Sequence, residues 1–274
     1  MKRRRAILTL LASLPPIHGG PPVRLGRFLN SYQGTALLID VASGRLLAAA
    51  GETMAASLFP PGSTLKPFVI SSLLRSGKLT PDTAIPCLGA LRIGGRDFQC
   101  VHPRLARPMQ PHTAIAYSCN QFIASACSRA GPDELLQDLG ELSAGTEGII
   151  RPPKTPDALR LLALGYDGIA VTAAGLAMAY RRLARNIPEP VLKGLEGAVE
   201  YGTARYANIP EVKMAGKTGS ARTAKGSRVA WFAGFFPSRE PQVAVTVLLY
   251  GRSGGADAAP IAGRIAQAWW RREL

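Results

Sequence analysis

Pro61-Gly62-Ser63-Thr64-Leu65-Lys66-Pro67 puts a hydroxyl and an amine three residues apart, just after a glycine and at the head of a run with helical apolar spacing. On a helix, positions i and i+3 share a face, so Ser63 and Lys66 would stand side by side. A serine becomes a nucleophile only beside a base. A lysine serves as that base when burial and a neighbouring positive charge lower its pKa. Taken alone, the pair reads equally as the first turn of an ordinary helix. Two later clusters change the reading. Ser118-Cys119-Asn120 adds a second hydroxyl and a carboxamide that both donates and accepts. Lys217-Thr218-Gly219-Ser220 adds a cation, two hydroxyls and a position without Cβ. A hydroxyl beside an amine, a second hydroxyl and a further cation are groups that nucleophilic catalysis through a serine can use. Against this stand Ser118 and Asn120 as mere helix caps and Gly219 as a bulge.

Those residues need a frame, and the apolar patterning supplies one. Short apolar runs at residues 34–40 and 45–49 flank Ala42-Ser43-Gly44, a hairpin signal. Helical spacing follows at residues 64–75, 113–128, 133–139, 157–164 and 172–183, punctuated by Pro and Gly. Strand-like runs return at 212–222, 229–237 and 243–250, before an amphipathic stretch at 258–271. Strands at both ends of a helical middle predict an α+β fold: a central antiparallel sheet built from N- and C-terminal strands, with a helical middle subdomain. One such domain is expected over residues 21–274, with no internal repeat.

Composition narrows the partners. The 274 residues carry a formal charge of +15, which favours an anionic setting such as nucleic acid, a membrane surface or an acidic cell-wall polymer. Outside Lys2-Arg3-Arg4-Arg5 the basic residues are scattered and aromatics are only 7%, so the basic, stacking surface of a nucleic-acid binder is missing. Lys2 to Arg5 followed by the apolar run 6–14 reads as a targeting leader over residues 1–20, which predicts export; no stretch is long and apolar enough for a membrane span. In an exported chain Cys87 and Cys100, bracketing a hairpin with Gly94-Gly95 at its tip, are expected to form a disulfide, and Cys119 and Cys127 to be buried thiols on one helix face. His18, His102 and His112 are too irregularly spread to assemble a metal site, and no cofactor motif occurs.

The ordered trio SxxK, SxN and KTG resembles the penicillin-binding protein transpeptidase domain, within the superfamily that also holds the serine β-lactamases. The likeness continues in the run from Phe59 to Phe68, in Cys100-Val101-His102 before Tyr117-Ser118-Cys119-Asn120, in Gly165 to Thr172 and in Ala198 to Ala204, from about Gly34 to Gly251. The resemblance implies a D,D-transpeptidase or D,D-carboxypeptidase acting on peptidoglycan stem peptides and acylated by β-lactams at Ser63. It makes Lys66 the base, Ser118 the proton relay, and Asn120, Lys217, Thr218, Gly219 and Ser220 the substrate-binding set. The backbone N–H groups of Ser63 and Ser220 become the oxyanion hole. A periplasmic or other extracytoplasmic location follows. The absence of a second catalytic or pedestal domain makes a cell-wall synthesis partner protein an expectation. A serine β-lactamase is disfavoured, because none of the glutamates between Asn120 and Lys217 is followed by the Leu-Asn of the deacylating loop. A non-catalytic β-lactam or muropeptide sensor is the remaining alternative.

Overall fold

The computed structural model describes residues 25–143 and 148–274, so the expected leader lies outside the described residues. In chain order the strands are β1 (Gly34–Asp40), β2 (Leu46–Ala50), β3 (Ala90–Ile93), β4 (Arg96–Gln99), β5 (Ile149–Ile150), β6 (Ile169–Ala170), β7 (Ala215–Arg222), β8 (Arg228–Phe236) and β9 (Val243–Tyr250). The longer helices are α1 (Lys66–Arg75), α2 (Pro111–Ala116), α3 (Asn120–Cys127), α4 (Pro132–Ser143), α5 (Pro156–Ala163), α6 (Ala173–Arg185), α7 (Glu189–Glu200) and α8 (Ala259–Trp270).

Side chains alternate across a strand, and this sheet has work for both faces. On β1, Leu37 and Ile39 enter one apolar cluster while Ala36 and Leu38 enter another. On β9, Ala244 and Leu248 go with the first, and Val243, Val245, Val247 and Leu249 with the second. Helix α6 covers the first face with Leu176 and Tyr180; helix α8 covers the second with Ile261 and Ile265. A sheet buried on both sides reads as continuous apolar runs, as 243–250 does. The five strands run antiparallel in the order β2-β1-β9-β8-β7, with β1 paired to β9 from Gly34↔Leu249 to Asp40↔Val243. The two chain ends therefore meet in one sheet, and the α+β expectation holds. Arg27 Nη2 donates to Glu273 O at 3.0 Å and Arg264 Nη2 to Phe28 O at 3.2 Å, tying the first and last described segments together.

Three local expectations need correction. Residues 113–128 are not one helix: α2 stops at Ala116 and α3 starts at Asn120. Ser118 sits between them at φ 58°, Cys119 N donates to Ala114 O (2.9 Å) and Ser118 N to Ile115 O (3.1 Å). These two bonds are the left-handed helix stop that usually takes glycine, here built with a serine. Helix α7 carries Pro190, Gly194 and Gly197, which interrupt its apolar period and hid it from sequence reading. The β3–β4 hairpin turns over Gly94 and Gly95 at φ 54° and 76° as expected, but all four cysteines are free. Cys119 shares no helix face with Cys127: it caps α3, its sulfur accepting from Phe122 N, whereas Cys127 ends that helix.

Candidate active site

The segment around Ser63 is a 3-10 turn, Gly62–Leu65, running straight into α1. Backbone bonds and two buried side chains fix it. Phe59 and Val171 exchange both backbone hydrogen bonds at 2.9 Å, and Gly62 N donates to Gly165 O at 2.9 Å. Trp231 Nε1 donates to Pro60 O and Tyr180 OH to Thr64 O, each at 2.9 Å, one from the sheet and one from α6. The turn lies against β7 so closely that a Cβ on Gly219 would meet Pro61 O at 2.6 Å and Thr64 Cγ2 at 2.9 Å. A Cβ on Gly62, whose φ is +56°, would meet Ser220 O at 2.8 Å and Ser220 N at 3.2 Å. The missing Cβ of Gly219 thus makes room for the Ser63 turn itself, a reason the sequence alone did not show. Among the described residues the Ser63 hydroxyl has no hydrogen-bond partner.

Lys66 is fully buried. Its Nζ donates to Ser118 O (2.7 Å), Asn120 Oδ1 (2.6 Å) and Ser118 Oγ (3.1 Å). The broken helix is what aims a backbone carbonyl, a hydroxyl and a carboxamide at one amine. Asn120 also donates from Nδ2 to Gln99 O at 3.0 Å, which fixes its amide orientation and keeps Oδ1 toward the lysine. Burial lowers the Lys66 pKa to about 8, opposed only in part by the Cys119 and Cys100 sulfurs. Burial dominates at Lys217 as well, and the like charge of Lys66 adds to it, so the Lys217 pKa falls well below the usual lysine value.

Lys217, Thr218, Gly219 and Ser220 lie on β7, the edge strand beside β8. Lys217 Nζ donates to Thr218 O (3.0 Å) and reaches Thr203 Oγ1 at 3.4 Å, and Thr218 Oγ1 donates to the same Thr203 oxygen at 2.9 Å. Thr203 is a site residue that the sequence reading did not single out, although its Gly202-Thr203 segment carried part of the resemblance. Ser220 Oγ accepts from Gly254 N at 3.0 Å, so the loop after β9 fixes this hydroxyl. Ser63, Ser118, Asn120, Thr218, Gly219 and Ser220 all line one open cleft of about 490 Å³, walled by Tyr117 and Tyr201. The arrangement can accept an extended acyl donor along β7, with a hydroxyl nucleophile on one side and a near-neutral amine behind it.

Comparison with known proteins fits this geometry. The family model described as the penicillin binding protein transpeptidase domain matches residues 34–193 and 188–267. The probable peptidoglycan D,D-transpeptidase PbpC of Pseudomonas aeruginosa is 25% identical over 84% of this chain and 52% of its own. The peptidoglycan D,D-transpeptidase MrdA of Acinetobacter baumannii is 23% identical over 77% of this chain and 42% of its own. The chain thus spans about half the length of the curated relatives it matches. Among solved structures, PBP2 of Pseudomonas aeruginosa superposes with a TM-score of 0.79 at 20% identity, covering 89% of this chain and 75% of that one. The D,D-transpeptidase domain of a peptidoglycan glycosyltransferase from Eggerthella lenta gives 0.76 at 20% identity, covering 91% and 81%.

Proposed function

Because the chain belongs to the penicillin-binding protein transpeptidase domain family, we propose that it is a serine acyl-transferase acting on peptidoglycan stem peptides, a D,D-transpeptidase or D,D-carboxypeptidase that penicillin acylates at Ser63. One observation carries the reading: a buried amine, held by Ser118 and Asn120, stands one helical turn from a serine in a rigid turn on the edge strand. The relatives named as peptidoglycan D,D-transpeptidases support the substrate class.

In this mechanism Ser63 Oγ attacks the carbonyl of the penultimate residue of the stem while neutral Lys66 takes the hydroxyl proton. The Ser63 and Ser220 N–H groups hold the oxyanion. The C–N bond breaks, and Ser118 passes the proton to the departing amine. Thr218, which lines the cleft, binds the terminal carboxylate of the donor with Lys217 buried behind it, and Asn120 binds the donor's amide. The amine of a second stem, or water, then cleaves the ester and restores Ser63. Such a substrate places the working site outside the cytoplasm, with a cell-wall synthesis protein as the partner that presents it. Among the described residues lining the cleft there is no carboxylate to activate a hydrolytic water, which supports a long-lived acyl-enzyme.

Intact-protein mass spectrometry with labelled penicillin tests this. The expected result is one adduct, on Ser63, that persists for minutes or longer. Ser63→Ala should show none, and Lys66→Met should label more slowly by about 10²–10⁴-fold, the usual weight of a general base. Labelling of Ser63→Ala at the wild-type rate would overturn the nucleophile, and rapid bicarbonate-dependent turnover would make the chain a β-lactamase.

A further inference from the structure

Beside the cleft, four side chains that sequence reading kept apart converge. Cys87 precedes β3, Cys100 follows β4, His102 lies just beyond, and Cys119 caps α3. One ligand atom from each, three sulfurs and an imidazole nitrogen, lies within 4.8 Å of every other. Cys100 Sγ and Cys119 Sγ are 3.8 Å apart. Two thiolates bound to one tetrahedral zinc at about 2.3 Å each stand about 3.8 Å from each other.

The histidine gives a second, independent sign. His102 Nδ1 lies 2.8 Å from Pro103 O, and since a carbonyl can only accept, Nδ1 carries the proton. The lone pair is then on Nε2, which is buried and has no hydrogen-bond partner. An imidazole with one nitrogen tied to a backbone carbonyl and the other bare is the posture of a metal-bound histidine. The sulfurs are prepared as well: Gly89 N donates to Cys87 Sγ and Phe122 N to Cys119 Sγ, each at 3.4 Å, as outer-shell backbone groups do for thiolate ligands.

We propose that Cys87, Cys100, His102 and Cys119 form a tetrahedral zinc site that positions the Ser118–Asn120 segment. Three soft thiolates and an imidazole favour zinc over magnesium or calcium. With four protein ligands the site is closed, so its role is structural. Because Cys119 lies between Ser118 and Asn120, the ion ties the two groups that hold Lys66 to the β3–β4 hairpin. The inference replaces the expected Cys87–Cys100 disulfide, and metal binding is read without substrate, so it stands or falls apart from the acyl-transfer reading.

The test uses the full chain, reduced, stripped with a chelator and titrated with zinc against a chromophoric competitor, then with cobalt. Expected are one equivalent bound, a raised melting temperature, and a cobalt derivative with a thiolate charge-transfer band and the intense visible bands of tetrahedral geometry. Cys87→Ser and His102→Ala should each weaken zinc binding by more than about 100-fold, beyond the roughly 10–100-fold typical of losing an outer-shell partner. Cys127→Ala, whose thiol is outside the cluster, should still bind one equivalent. If the ligand variants fail to fold, the wild-type cobalt spectrum decides alone. Failure to bind one equivalent, an octahedral cobalt spectrum, equal loss in Cys127→Ala, or a Cys87–Cys100 disulfide in freshly isolated protein would each overturn the site.

Discussion

A protonated Lys66 has three N–H donors, and the structure gives it three acceptors, two of them at 2.6 and 2.7 Å. In that state it holds the site together and has no lone pair to offer. Losing one proton keeps the two short bonds and frees an electron pair, which in the proposed mechanism turns the same residue from brace to base. Its pKa of about 8 sets where this happens. A group that works in its neutral form gains activity as pH rises through its pKa and is saturated above it. The rate constant for penicillin acylation should therefore fall about tenfold per pH unit below about pH 8 and level off above it. A stopped-flow profile that is flat from about pH 6 to pH 9 would remove Lys66 as the base. The folded protein also binds fewer protons at this amine than the unfolded chain between about 8 and the usual lysine value, so the Lys66 contribution to stability increases with pH across that window.

At the scale of elements, the Ser63 turn and β7 act as one piece because Gly219 lets them touch. Gly219→Ala would press a Cβ into the backbone oxygen of Pro61, which cannot swing aside as a flexible side chain would. Acylation should slow by about 10²-fold, the cost of a displacement on the order of 1 Å at a reacting group, while circular dichroism stays native. Gly131→Ala, with open space around its Cβ position, serves as the control; an equal loss there would show that the contact is irrelevant. Much of this layout was legible beforehand. The sheet was, because strands buried on both faces are written as unbroken apolar runs, and β9 fell on the expected residues 243–250. The three clusters stood out by residue type and order, and Ser63, Ser118, Asn120, Thr218, Gly219 and Ser220 do line one cleft. The stop between α2 and α3 was not, since Ser118 takes a left-handed conformation that a serine does not announce and a glycine would. Nor was the convergence of Cys87, Cys100, His102 and Cys119, which depends on how the β3–β4 hairpin docks rather than on any spacing along the chain.

At the scale of the molecule, the sheet separates two apolar clusters, and Leu65 and Cys119, the chain neighbours of Lys66 and of Ser118 and Asn120, belong to the one that α6 covers. Damage on the other side should lower stability without touching chemistry. Ile265→Ala, a fully buried change on α8, is expected to cost about 2–5 kcal/mol, seen as a lower urea midpoint at unchanged slope. Below its melting range the variant should acylate at the wild-type rate; slower acylation with unchanged stability would mean that the two faces are coupled. The hydrogen bonds from Arg27 to Glu273 and from Arg264 to Phe28 bear on a different matter. A unit whose first and last segments are in contact enters and leaves a polypeptide at nearly one point, like a cassette. It can be spliced into a longer chain, or cyclically reordered by joining its ends and reopening it at the Gly94-Gly95 turn, without rethreading a single strand of its sheet.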